Sequence, residues 1–105
     1  MKQIYELHAD VCKTLANPKR IEIINLLRTG EKAVSCLLEA TGLLKANLSQ
    51  HLSIMRQKGI ILTRKEGVSV FYRIANPKIV KACDLMREVL FEQIEERKET
   101  LKKWK

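Results

Sequence analysis

Between Gly42 and Gly59 lies a run in which Leu48, Leu52 and Met55 recur at helical spacing. The remaining positions of that helix include Lys45, Asn47, Ser49, Gln50, His51, Ser53 and Arg56, and no carboxylate stands among them. One stripe suits a core. The opposite face offers cations and small hydrogen-bonding groups, the side chains that read base edges and hold phosphates. Upstream, residues 33–41 predict a short helix with Val34, Leu37, Leu38 and Ala40 directed at a core and Gly42 closing it. Two helices joined by a tight glycine-containing turn make a helix-turn-helix over residues 33–58. Downstream the period changes from helical to alternating. Residues 60–65 and 68–74 are rich in β-branched and aromatic groups around Glu66-Gly67, which predicts a β-hairpin, a basic wing over 60–74 tipped by Arg64 and Lys65.

The flanks fit this centre. Ile4, Leu7, Val11, Cys12 and Leu15 form a helical stripe that Asn17-Pro18 interrupts. Asparagine is a good N-cap and proline is tolerated at the first helical position, so a second helix starts near Pro18. Ile21, Ile23, Ile24, Leu26 and Leu27 are its apolar side, Lys19, Arg20 and Arg28 its outer face, and Gly30 its expected C-cap. Asn76-Pro77 opens the last helix in the same way. Its apolar positions run through Ile79, Val80, Cys83, Leu85, Met86, Val89, Leu90, Phe91 and Ile94, after which the chain is almost wholly charged and predicts a fraying end. So long a stripe exceeds what a small body can cover, and a second copy of the chain is the economical partner.

The expected fold is mainly α with a small β-hairpin: a winged helix-turn-helix in the order α-α-α-α-β-β-α. It forms one domain over residues 1–105, with 1–16 and 77–105 as dimerisation helices. Twenty basic against 12 acidic residues leave a net charge of +8, which favours a polyanionic partner. No apolar run reaches the roughly 20 residues that span a bilayer, and the polar, partly acidic N-terminus is unlike a signal peptide. The expectation is a cytoplasmic protein with no membrane partner. Three widely spaced cysteines, Cys12, Cys36 and Cys83, then read as free thiols.

Several spaced motifs together resemble one family. Leu15-Ala16-Asn17-Pro18-Lys19-Arg20, Leu48-Ser49-Gln50-His51-Leu52, Gly59-Ile60-Ile61, Arg64-Lys65-Glu66-Gly67 and Phe71-Tyr72 are similar to the ArsR-type winged-helix transcriptional regulators. The resemblance spans about residues 9–90. It implies a homodimer through the first and last helices, a palindromic double-stranded DNA operator, and release by an effector. The family's sensing patterns are not matched. The Cys-x-Cys pair of arsenic and cadmium sensors falls on Ala33 and Ser35. The zinc-type positions of the last helix fall on Asn76, Lys78, Val89 and Glu92. The second-helix cysteine of persulfide sensors falls at or near Asn25.

The DNA-contact candidates are therefore Lys45, Asn47, Ser49, Gln50, His51, Ser53, Arg56, Arg64 and Lys65, with Arg73 a weaker one. His51 has two readings, a phosphate contact or packing within the helix-turn-helix. Wing cations also protect edge strands. Cys36, Cys12 and Cys83 are the effector or redox candidates. Cys12 and Cys83 sit on apolar stripes, where cysteine usually serves as a small hydrophobe. Cys36 lies near a helix N-terminus, where thiols become reactive. Converging thiolates would suit a thiophilic metal or metalloid, the only cofactor class the residues suggest. No nucleophile, base and orienting group stand together, so the chain is not expected to be an enzyme. The rival readings are a winged-helix protein–protein interaction module and an effector-independent DNA-binding regulator.

Overall fold

The computed structural model describes residues 1–104. The elements run α1 (Lys2–Leu15), α2 (Pro18–Leu26), a 3₁₀ turn (Leu27–Thr29), β1 (Lys32–Ala33), α3 (Val34–Thr41), α4 (Lys45–Gln57), β2 (Ile61–Glu66), β3 (Ser69–Ile74) and α5 (Lys78–Lys103). The strands form an antiparallel sheet in the order β1-β3-β2. This is the winged helix-turn-helix, with a third strand beyond the expected hairpin. Ala33 belongs to that strand, opposite Phe71, and α3 starts one residue later.

Local chemistry sets the boundaries. Asn17 caps α2, its Oδ1 accepting from the backbone N–H groups of Lys19 and Arg20, with Pro18 at the first helical position. Gly30 ends the 3₁₀ turn rather than α2 itself, because α2 tightens over Leu27–Thr29 before it stops. Gly42 takes the left-handed conformation after α3, and its N–H reaches the Leu38 carbonyl. Three residues then separate α3 from α4, as a helix-turn-helix requires. Lys19 braces this turn from α2, its Nζ donating to the Thr41 carbonyl at 3.2 Å.

The core joins Ile23, Ile24 and Leu27 to Leu37, to Leu48, Leu52 and Met55 of α4, and to Ile60 and Ile61 at the root of the wing. Ile21 and Ala40 face outward instead, since each sits on the far side of a helix whose buried stripe is narrower than its apolar composition. Thr14 is buried in α1, its hydroxyl donating to the Asp10 carbonyl, so its polarity is satisfied locally.

Only the first turns of α5 pack on this body, through Ile79, Val80 and Cys83. There Arg28 grips Asp84 with two N–H donors at 2.6 and 3.3 Å. Beyond, α5 is exposed and contains no buried residue. It stays helical to Lys103 rather than fraying after Glu95, carried by i,i+3 pairs such as Glu95–Lys98 and Glu99–Lys102. Lys105, inside the sequence-based bound of that helix, lies outside the described residues. Leu85, Met86, Val89, Leu90, Phe91 and Ile94 leave an uncovered apolar strip, and Ile4, Tyr5 and Leu7 of α1 are exposed as well. Phe91 alone keeps 59% of its surface in water.

Candidate nucleic-acid interface

The buried stripe of α4, Leu48, Leu52 and Met55, fixes which way its polar residues point. Lys45, Asn47, Ser49, Gln50 and Arg56 are exposed, and Ser53 and His51 are half-buried. Leu44 at the N-cap makes no side-chain hydrogen bond to the helix, and no acidic residue occupies the first turn. The amide end of the helix dipole, with Lys45 beside it, is therefore open to an anion.

Lys45 and Ser49 line a cleft of about 400 Å³ between α4 and the wing, together with Ser35, Val68, Ser69 and Tyr72. On the other flank of α4, His51 meets α2. Arg20 donates from Nε to His51 Nδ1 at 3.1 Å and from Nη1 to the Thr14 carbonyl at 3.0 Å. Burial, then the Arg20 charge, holds the His51 pKa below the usual histidine value. Of the two expected readings of His51, the packing is seen against α2 rather than within the helix-turn-helix, and the ring stays half-exposed beside the recognition face.

The wing separates Arg64 from Lys65. Residues opposite each other in an antiparallel pair share a face, and neighbours along a strand alternate. Lys65 pairs with Val70, which lines the cleft facing α4. Arg64 pairs with Phe71 and sits on the opposite face. It binds Glu31 with two donors at 2.7 and 3.1 Å, binds Glu66 at 2.7 Å, and stacks 4.6 Å above the Phe71 ring. These hydrogen bonds, to Glu31 first and Glu66 second, push the Arg64 pKa up, and Arg64 in turn holds Glu31 below the usual carboxylate range. Arg64, expected beside Lys65 among the wing's contact candidates, is thus engaged with Glu31 and Glu66 on the face away from the cleft. Lys45, Arg56 and Lys65 make no ion pair among the described residues. At the tip, Gly67 has φ +61° in a two-residue loop, the glycine position of a type II′ hairpin, and Val68 beside it is fully exposed.

The thiols are dispersed. Cys12 and Cys36 are exposed, and Cys83 is half-buried with its pKa raised by that burial. Among the described residues no three His, Cys, Asp or Glu side chains come together as a metal site within one chain, so Cys12, Cys36 and Cys83 do not converge there. Nor is any described helix long and apolar enough to cross a membrane.

In the sequence Arg20 and Lys19 show only as cations on the outer face of a helix. Asn17-Pro18 sets them in the first turn of α2, but their targets lie 31 and 22 residues away, beyond any local pattern. Ser35 and Ser69 in the cleft likewise come together only through the fold.

A family model for bacterial regulatory proteins of the arsR family matches residues 17–63. The chain is 38% identical to the HTH-type transcriptional regulator Rv0081 of Mycobacterium tuberculosis over 90% of this chain and 83% of the relative. It matches the crystal structure of that protein with a TM-score of 0.82, covering 90% of this chain and 95% of the other. A second structure, the homodimeric winged helix-turn-helix DNA-binding domain Mb0332 of Mycobacterium bovis, is similar at TM-score 0.81 and 33% identity. That match covers 90% of this chain and 88% of the other. The biofilm growth-associated repressor of Agrobacterium fabrum is 35% identical over 74% of this chain and 67% of its own length. The chain belongs to the ArsR family of winged helix-turn-helix transcriptional regulators, which are not enzymes.

Proposed function

We propose that the chain is a homodimeric repressor that lays α4 in the major groove of a palindromic operator and the cleft-facing side of its wing along the backbone. One observation carries this reading: a recognition helix without a carboxylate, its amide end uncapped, with Lys45, Asn47, Ser49, Gln50 and Arg56 exposed beside the unpaired Lys65. The cations supply phosphate attraction. Gln50 and Asn47 supply amide groups able to pair with adenine in the groove. Two such helices related by a twofold axis read two half-sites about one helical turn apart. The uncovered apolar strip on α5, with the exposed apolar residues of α1, is the surface that brings the two copies together. A cysteine-read signal, in this reading, acts on the exposed Cys12 or Cys36 rather than through a three-ligand site within one chain.

The test is selection of duplexes from a random-sequence pool, followed by a reporter carrying the enriched site. The expected result is a symmetric site and expression that falls when the protein is present. An asymmetric site, or expression that rises, would contradict palindromic repression. Gln50→Ala is expected to bind the selected site more weakly while losing about 1–3 kcal/mol of discrimination against a substituted base. Competition binding with matched and mismatched duplexes measures this, and unchanged discrimination would remove Gln50 from the reading set.

A further inference from the structure

We infer that Arg20, which lies on α2 and outside the recognition helix, is a positioning residue for DNA binding: it holds His51 as the Nε2–H tautomer, with that N–H presented to a backbone phosphate. This rests on the DNA-binding reading and adds to it a residue that belongs to neither the recognition helix nor the wing.

The geometry carries the inference. Arg20 Nε is always a donor, so the His51 Nδ1 that it reaches at 3.1 Å must be the acceptor. A neutral imidazole whose Nδ1 accepts carries its proton on Nε2. Protonation would place an N–H on Nδ1 against the N–H of Arg20, and the lowered pKa of the ring agrees with that conflict. The ring is half-exposed, on the exposed flank of α4 that also carries Asn47. Arg20 is itself fixed at three points. Its backbone N–H is held by Asn17 Oδ1, its Nη1 by the Thr14 carbonyl at the end of α1, and its Nε by the ring. Thr14 is buried, so α1 provides a firm anchor. A second tie, Lys58 Nζ to Asp10 at 2.9 Å, joins the end of α4 to the same helix. The imidazole is thus referenced to α1 through one side chain, and its outward donor is set before DNA arrives. Preorganised donors lose less on binding than free ones.

The chain has only two histidines, His8 and His51, which makes the tautomer directly readable. Long-range proton–nitrogen correlation spectra of the ¹⁵N-labelled protein are expected to show an unprotonated Nδ1 and a protonated Nε2 for His51. In Arg20→Ala the two nitrogens average, while the His8 signals stay in place. Affinity is measured on a duplex selected by the wild type. His51→Leu is expected to weaken binding of the dimer about 100-fold, the loss in each protomer of a hydrogen bond to a charged group. His51→Gln, whose amide can accept from Arg20 and donate outward, stays within about threefold of the wild type. Arg20→Ala loses about as much as His51→Leu, and the double variant loses little more, because both changes remove one unit. Thermal melts accompany each variant, and the His51 pair keeps the test independent of any folding defect in Arg20→Ala. Losses that multiply in the double variant, a His51→Gln protein as weak as His51→Leu, or a wild-type ring protonated on Nδ1 would overturn the inference. If the wild type enriches no duplex, the DNA-binding reading falls and takes this one with it. Selection that succeeds with uncoupled Arg20 and His51 overturns this one alone.

Discussion

Leu90→Glu is expected to yield a folded monomer whose affinity for a two-half-site operator falls by about 10²–10⁴. Leu90 is exposed on the apolar strip of α5, a helix that contains no buried residue. The body of the winged helix therefore does not depend on it. At a twofold interface the substitution enters twice, and two carboxylates meet in apolar surroundings. What is lost is the linkage of two DNA contacts, whose effective concentration accounts for a gain of that size without any new contact. Sedimentation and circular dichroism give the test. The expected result is half the mass with nearly unchanged helix content, and binding to one half-site retained. A dimer of unchanged mass would show that the strip on α5 is not the interface.

Leu52→Ala acts on the opposite side of the account. Leu52 is buried with 2% of its surface exposed, and it touches both the core and the cleft beneath the wing. Truncating it removes apolar contacts and leaves a cavity, at a cost of about 2–5 kcal/mol. Against a total of about 5–15 kcal/mol for a domain, that is a large share. The melting temperature is expected to fall by roughly 8–40 °C, taking about 4–8 °C per kcal/mol. DNA binding should be lost at physiological temperature and recovered on cooling, because the polar face itself is untouched. A drop of only a few degrees would mean that the helix is held by something other than its buried stripe.

The parts of this fold that were legible in the sequence are those written at short range. The spacing of Leu48, Leu52 and Met55 oriented α4, the Asn-Pro pairs marked helix starts, and Gly67 marked the hairpin. What the sequence hid depends on partners far along the chain. β1 is two residues long, too short for any periodicity, and exists because Lys32 and Ala33 find Tyr72 and Phe71. Arg64 and Lys65 look alike as neighbours, yet strand alternation turns one towards Glu31 and the other towards the cleft. Glu31 stands 33 residues before Arg64, so no local pattern announces the pair. The role of Arg20 was hidden for the same reason. The cysteines are a different case: spacing cannot show convergence, and among the described residues the fold gathers no three-ligand metal group within one chain.

The salt dependence of operator binding tests the central claim most directly. Lys45, Arg56 and Lys65 on each protomer give about six phosphate contacts in the dimer, so log affinity should fall against log salt with a slope of about −5, roughly 10³ between 50 and 200 mM. Lys65→Ala should make that slope shallower by about 2, and Arg64→Ala, already neutralised on the far face, should leave it in place. A wild-type slope near zero, or an Arg64→Ala slope reduced as much as that of Lys65→Ala, would contradict the account.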